Sequence, residues 1–259
     1  MRIVVLGSGS QGNATVFESG GTRVLVDAGL SVRATRTRYR EATGDDLGSL
    51  DALVLTHAHG DHVQHAKSVA AAYECPVHLQ ERTARQVELP EAARRVTLRP
   101  QASFGVGELR IGAVAVPHDE AQVALIVGDG ADEAALVTDL GHIPASLPRA
   151  LRDVRTLLLE ANHDPQLLAM APYPASVRAR VGGRYGHLAN AQAAGLLRRL
   201  GRALERVVLM HLSQSNNTPR KAREAVRDAL RPGVRLEVAA QDAPLVLTGS
   251  APAKQLALF

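Results

Sequence analysis

Short apolar runs separated by polar turns recur along the chain, and their lengths predict strands more often than helices. Residues 2–7 form the first run and lead into Gly7-Ser8-Gly9-Ser10-Gln11-Gly12. Asn13-Ala14-Thr15-Val16-Phe17 is β-prone, Gly20-Gly21 turns the chain, and Thr22-Arg23-Val24-Leu25-Val26 returns as the second arm of a hairpin. Ala52–Leu55, Pro76–Leu79, Ile111–Val116, Ala134–Val137, Thr156–Leu159 and Val207–Met210 read as further strands. Helical patterns lie between them. One is an arginine-rich surface helix capped by Ser31 and running to about Thr43. Another covers residues 62–73, with Ala66, Val69, Ala70 and Tyr73 on one face. Two basic helices follow, the first carrying Arg198, Arg199, Arg202 and Arg206. The second carries Arg220, Lys221, Arg223 and Arg227 behind Thr218 as N-cap and Pro219 at the first helical position. No linker interrupts this order, so residues 1–248 are expected to form one α/β domain. Gly249-Ser250-Ala251-Pro252-Ala253-Lys254 reads as a flexible tail.

The glycine-rich stretch matches G-x-G-x-x-G, and Asp27 lies near the place of a ribose-binding acid. A dinucleotide fold needs a helix to begin within those glycines, so that its N-terminus can hold the pyrophosphate. Here a strand follows. The loop is therefore expected to be a close-packed floor rather than a nucleotide site.

Chemistry concentrates at strand ends. Thr56-His57-Ala58-His59-Gly60-Asp61-His62 follows Ala52–Leu55 and holds four potential metal ligands within six residues. Imidazole and carboxylate suit zinc, manganese and iron, and a loop leaving a strand lets all four side chains converge. The same grammar returns at His118, Asp139, Glu160 (with Asn162-His163-Asp164 just beyond) and His211, each close after an apolar run. In open α/β sheets, sites gather at the carboxyl ends of strands. These residues predict a two-metal hydrolytic site. Asp27 is either a carboxylate orienting one ligand histidine or a plain strand-end turn acid. His65 reads as a helix-surface or outer residue, and His78 carries no signal of a partner.

Composition changes this picture little. The 259 residues are 46% hydrophobic and 22% charged, an ordinary globular balance. No apolar run approaches the ~18 residues of a membrane span, and residues 1–7 are too short for a secretory leader. Cys75 is the only cysteine, which excludes an internal disulfide and favours the cytoplasm. The net charge of +4 is carried almost wholly by arginine, since Lys67, Lys221 and Lys254 are the only lysines. Arginine suits phosphate recognition, but charged outer helices are usually just solvated.

With these residues assembled, the chain resembles the metallo-β-lactamase superfamily and, within it, the YycJ/WalJ-type exonucleases. The stretches that carry the resemblance are Leu6–Ala14, Val26–Leu30, His57–His62, Thr138–Gly141, Glu160–Asp164, Gly186–Asn190 and His211–Ser213. The resemblance implies a four-layer αββα sandwich holding two divalent ions, Zn2+ or Mn2+. It assigns His57, His59 and His118 to one ion and Asp61, His62 and His211 to the other, with Asp139 bridging. Two such ions can clamp an in-line displacement and activate water as the nucleophile. Asp61 would accept a proton, and Glu160 with His187 would protonate the leaving group. His187 is otherwise a histidine beside a helix capped by Asn190. His163 is placed only near the site, and His142 is not resolved. The chain has no room for the insert of the β-CASP nucleases, and no appended helical domain like that of glyoxalase II.

The implied activity is a phosphodiesterase, a 5′→3′ exonuclease acting on DNA more than RNA in repair and replication. A thioester or lactone hydrolase on the same scaffold is the alternative, and a clamp-associated module without catalysis is a third. The last five residues, Gln255, Leu256, Ala257, Leu258 and Phe259, resemble the peptide that bacterial proteins insert into the replication sliding clamp. That resemblance implies the clamp as a partner. A terminal apolar stretch docking on its own domain is the alternative.

Overall fold

The first strand, Arg2–Gly7 (β1), shows how the layers arise. Ile3 and Val5 are buried against the opposite sheet, while Val4 and Leu6 are buried against a helical layer. Strands that lose both faces to packing read as continuous apolar runs rather than alternating ones, and that is the pattern of this sequence. A computed structural model describes residues 1–249 and, within them, two seven-stranded sheets.

The first sheet contains β1, β2 (Ala14–Ser19), β3 (Thr22–Val26), β4 (Ala52–Val54), β5 (Val77–Leu79) and β6 (Arg95–Thr97), with β14 (Leu245–Thr248) beside β1. The second contains β7 (Ser103–Val106), β8 (Leu109–Val116), β9 (Gln122–Gly128), β10 (Glu133–Val137), β11 (Thr156–Glu160), β12 (Arg206–Met210) and β13 (Arg235–Val238), in that spatial order. β1 to β3 form an antiparallel meander, and β3 to β6 run parallel. β10 to β13 are parallel too, and β8 shares their direction because β9 is antiparallel to both β8 and β10.

Three apolar layers hold the sandwich. Phe17, Val24, Leu125, Val127, Leu158 and Val208 meet between the sheets. Helices α1 (Val32–Thr43) and α3 (Ala66–Tyr73) cover the first sheet, packing Tyr39 and Val69 in one layer with Leu25 and Leu53. Helices α8 (Asn190–Leu197) and α9 (Pro219–Arg227) cover the second over Leu157, Leu159, Val207 and Leu209. This is the αββα sandwich expected. The shorter helices are α2 (Gly60–Val63), α4 (Glu81–Ala84), α5 (Leu147–Ala150), α6 (Pro165–Met170) and α7 (Ala175–Val181). Among the described residues, no helix is long and apolar enough to cross a membrane.

Ser31 and Thr218 accept from Ala34 N and Lys221 N and cap α1 and α9 as expected. Three local expectations change. The single helix over 62–73 is two, because His62 O accepts from Ala28 N and His65 N donates to Ala28 O, which diverts the bonds a continuous helix would use. The first basic helix ends at Leu197, and Arg206 is the buried first residue of β12, donating to Thr248 O. The cap of α8 is Ala189, whose N–H donates to Gln192 Oε1. Asn190 turns inward to pair with Asn217 instead. Cys75 is buried, and burial pushes its thiol up to about 11, so it stays a packed apolar group. Gln255, Leu256, Leu258 and Phe259 lie outside the described residues.

Candidate metal centre

The glycine-rich loop after β1 is a floor, and β2 rather than a helix follows it. Asn13 N donates to Asp61 O, and Gly29 N donates to Asn13 O. A Cβ on Gly29 would lie 1.9 Å from Asp61 O, and one on Gly12 (φ 144°) would lie 2.4 Å from Gly29 O. Only glycine permits backbones this close. On this floor the His57–His62 loop faces the carboxyl ends of β8, β10, β11 and β12.

Asp27, Asp139 and His211 each sit just beyond a strand at positive φ (63°, 58° and 54°). Left-handed backbone is unfavourable for non-glycine residues and clusters at functional sites. Here it turns three site side chains back over the strand ends that carry them.

Five histidines share one arrangement, in which one ring nitrogen is held and the other faces a common space. His57 Nδ1 is 3.0 Å from Thr56 Oγ1, and its buried Nε2 has no hydrogen-bond partner. His59 Nε2 is 3.2 Å from Asp119 Oδ1, while its Nδ1 lies 3.1 Å from His118 Nε2. His118 Nδ1 donates to Gly186 O at 2.9 Å. His62 Nδ1 is 2.7 Å from Asp27 Oδ2, and its Nε2 is 3.2 Å from Asp139 Oδ2. His211 Nδ1 is 3.1 Å from Glu160 Oε1, and its Nε2 is 3.2 Å from Asp61 Oδ2. Holding one nitrogen fixes ring and tautomer and is the usual support of a metal-binding imidazole. Asp27 also accepts from Thr56 N and Thr56 Oγ1, so it joins the ends of β3 and β4 while gripping His62.

The facing atoms form overlapping groups whose members lie within 4.8 Å of one another: His57–His59–His118, Asp61–His62–His211, His57–His62–Asp139 and Asp139–Glu160–His187–His211. Asp139 thus lies between the two triads. Its buried Oδ2 meets the His62 ring only as a charged contact at 3.2 Å, outside hydrogen-bond geometry, and His57 Nε2 makes no hydrogen bond. Buried polar atoms left unpaired amid nitrogen and oxygen donors fit cations such as zinc or manganese.

The charges reflect this crowding. Burial opposes charge on His62, yet the Asp139 and Asp27 carboxylates hold the imidazole well above its ordinary range. Burial likewise opposes charge on His211, and Asp139 with Asp61 carries it up to about 10. His57, buried and close to His62, is held well below the ordinary range. Burial works against the Glu160 carboxylate as well, but His187 and His211 bring it down to about 2.

Glu160 is fully buried at the end of β11 and accepts from Leu140 N and Leu188 N through Oε2. Its Oε1 lies 2.8 Å from His187 Nδ1. His163 is buried behind this pair, bridges Ala189 through its backbone, and leaves Nδ1 unpaired. Three other histidines stand apart from the four groups: His142 bonds Arg184 O, His78 stacks on Phe104 at 4.3 Å, and His65 opens α3. Two participants had no role in the sequence reading. Asn13 Nδ2 lies 3.1 Å from Asp61 Oδ2 and 2.9 Å from His62 Nε2, and Asp119 holds His59 while pairing with Arg180 at 2.9 Å. Direct succession to His118 is the only sequence signal for Asp119. A cleft of about 430 Å³ opens over the centre, lined by His59, Asp61, Asp139, His187 and His211 with Tyr173 and Arg180.

This fold and donor set define a hydrolase class that works with bound metal. The model of the beta-lactamase superfamily domain matches residues 22–212, and the chain belongs to that family. It is 28% identical over 234 residues to exodeoxyribonuclease YycJ of Bacillus anthracis, covering 87% of this chain and 88% of that one. It is also 28% identical over 221 residues to exodeoxyribonuclease WalJ of Streptococcus pneumoniae serotype 2 strain D39, covering 82% of each. The crystal structure of the metallo-beta-lactamase fold protein YhfI from Bacillus subtilis matches with a TM-score of 0.73 at 16% identity, over 94% of this chain and 98% of that one. That structure supports the fold alone.

Proposed function

We propose that the protein is a metal-dependent phosphodiesterase that degrades DNA from an end in the 5′→3′ direction, in cytoplasmic DNA repair and replication. The observation that carries the reading is the set of five histidines, each held by one nitrogen and presenting the other around Asp139, with the Glu160–His187 pair on the same rim. His57, His59 and His118 would hold one divalent ion and Asp61, His62 and His211 a second, with Asp139 shared. Ions held there would supply polarisation of a phosphoryl oxygen and a lowered pKa for the attacking water, which makes it a better nucleophile. The chain's own residues supply positioning and protons. Asp61, part-exposed at the cleft, accepts a proton through its carboxylate. Glu160 holds His187 Nδ1, which leaves Nε2 to donate to the departing oxygen. The names of the two exodeoxyribonuclease relatives support DNA as the polymer.

The test uses metal-loaded protein on 5′- and 3′-labelled single- and double-stranded DNA and RNA. Wild type should shorten DNA from the 5′ end, and His187→Ala should lose roughly 10²- to 10⁴-fold in rate with bound metal unchanged. Metal-dependent hydrolysis of thioesters or lactones without cleavage of any polymer would overturn the reading. The Gln255–Phe259 peptide is proposed to bind the sliding clamp. Deleting residues 255–259 should abolish clamp pull-down and leave the rate on short DNA unchanged, and undiminished pull-down would refute it.

A further inference from the structure

Among the described residues, the exposed large hydrophobic side chains are Met170 (82%), Val177 (39%) and Tyr185 (58%). All three fall in one stretch, residues 165–186, which holds α6, α7 and the turn leading to His187. The same stretch carries Arg178, Arg180 and Arg184 and no acidic residue, and it holds Tyr173 and Tyr185, two of the four tyrosines. Tyr173, Val177 and Arg180 line the cleft over the metal centre.

The stretch is firmly tied down. Asp164 caps α6 by accepting from Gln166 N and Leu167 N, and it pairs with Lys221 at 3.2 Å. Arg178 donates to Tyr173 O, and Arg180 pairs with Asp119. Gly186 O receives His118 Nδ1. At Gly141 a Cβ would lie 2.3 Å from the Arg184 backbone, so the turn before His187 packs directly on the loop after Asp139. Exposed apolar and aromatic groups on a rigid support, beside an open cleft, mark a binding surface rather than a packing defect.

We propose that residues 165–186 are the platform on which an unpaired nucleic-acid strand lies as its end enters the cleft. The tyrosines, with Val177 and Met170, present flat or apolar contacts to bases, and Arg184, with Arg180 held at the cleft by Asp119, supplies positive charge for the phosphates. Every unpaired base offers a face for stacking, whereas a duplex keeps its bases stacked inside and offers mainly phosphates. The charge also chooses the occupant, because a second copy would bring another stretch with three arginines and no acid of its own against this one. The inference rests on the nuclease reading and adds the strand state that the site grips.

The test compares wild type with Met170→Ala/Tyr185→Ala by fluorescence anisotropy, using a labelled 12-residue oligothymidylate and a blunt duplex of similar length. Both side chains are exposed, so thermal unfolding should match wild type. Single-strand Kd should rise by roughly 5- to 100-fold, and duplex Kd should change by less than about twofold. KM for single-stranded DNA should rise with little change in kcat. An unchanged single-strand Kd, or an equal loss on the duplex, would overturn the platform while leaving the nuclease reading intact. A wild-type dimer that the double variant converts to monomer would also overturn it. Wild type that neither binds nor cuts any oligonucleotide would overturn both.

Discussion

Two cavities invite comparison. The cleft over the histidines holds about 430 Å³, while another at the amino ends of β8 and β10, beside α5, holds about 640 Å³. The larger one is lined by Arg110, Arg149, Arg152, Arg155, Asp132 and Glu133 among others. Its charges largely satisfy one another or point to solvent: Arg155 pairs with Glu205 at 2.7 Å, Arg152 lies 3.7 Å from Asp153, and Arg110 donates to Ser103 Oγ. Beneath the smaller cleft the histidines and carboxylates are buried or half-buried, held from behind and aimed inward, and two buried atoms, His57 Nε2 and Asp139 Oδ2, have no hydrogen bond. Size does not identify the site. Buried polar groups whose outer partners fix them toward one point do.

The largest effect expected from this contrast is at Asp139. Asp139→Asn removes the carboxylate between the His57–His59–His118 and Asp61–His62–His211 triads. It should cost at least ~100-fold in metal affinity, more than loss of an outer partner, with DNA cleavage abolished. Metal content after dialysis, read beside a nuclease assay, checks it. Stoichiometric metal in this variant would break the comparison at its strongest point.

Smaller losses are expected one layer out. Asp27→Asn and Asp119→Asn should each weaken metal binding by roughly 10- to 100-fold, with most of the effect on His62 for the first and on His59 for the second. A competitive chelator titration measures both. Equal affinity in wild type and both variants would mean that the held nitrogens are incidental.

The end of the molecule remote from the cleft should respond in stability instead. Asp129, just after β9, pairs with the Met1 amino group at 2.8 Å. Burial opposes its charge, but the amino group and neighbouring backbone N–H groups hold the carboxyl far below its usual range. A carboxylate depressed by folding stabilises above its unfolded pKa of ~3.9, and that contribution fades as pH falls toward the lower folded value. Asp129→Asn should therefore cost roughly 1.5–3 kcal/mol at pH 7 and progressively less below about pH 4. Urea unfolding at pH 7 and pH 3 should show the gap closing. A gap that widened in acid would contradict the ion pair.

The smallest effect is predicted in the larger cavity. Arg149→Ala should change stability by less than ~0.5 kcal/mol and leave cleavage and metal content alone. A tenfold loss of cleavage would make that cavity part of the working surface.

Much of this architecture was legible in the chain, because strands buried on both faces must be written as apolar runs. Ligands placed just beyond such runs share an edge once the strands are parallel. The meander before Asp27 and the strand-end positions of His118, Asp139, Glu160 and His211 follow from that rule. The outer partners were less legible. Asp119 resembles a surface acid until the loop after β4 and α7 bring His59 and Arg180 to it, and Asn13 has no pattern that marks it apart from a turn residue. Helix limits failed where tertiary bonds overrode local preference, as at Ala28 with His62 and His65, and at Asn190 with Asn217. The platform over 165–186 was invisible for another reason, since exposure is a property of the assembled surface.

The pairing of β14 with β1 has a mechanical consequence. β14 runs antiparallel to β1, and Gly249 N donates to Met1 O, so the backbone leaves the described body at the start of β1. The other end of β1, roughly 20 Å away, carries the loop that floors the metal centre. A partner that gripped the chain beyond Gly249 would thus hold the body by its heel, with the metal centre at the far end of β1.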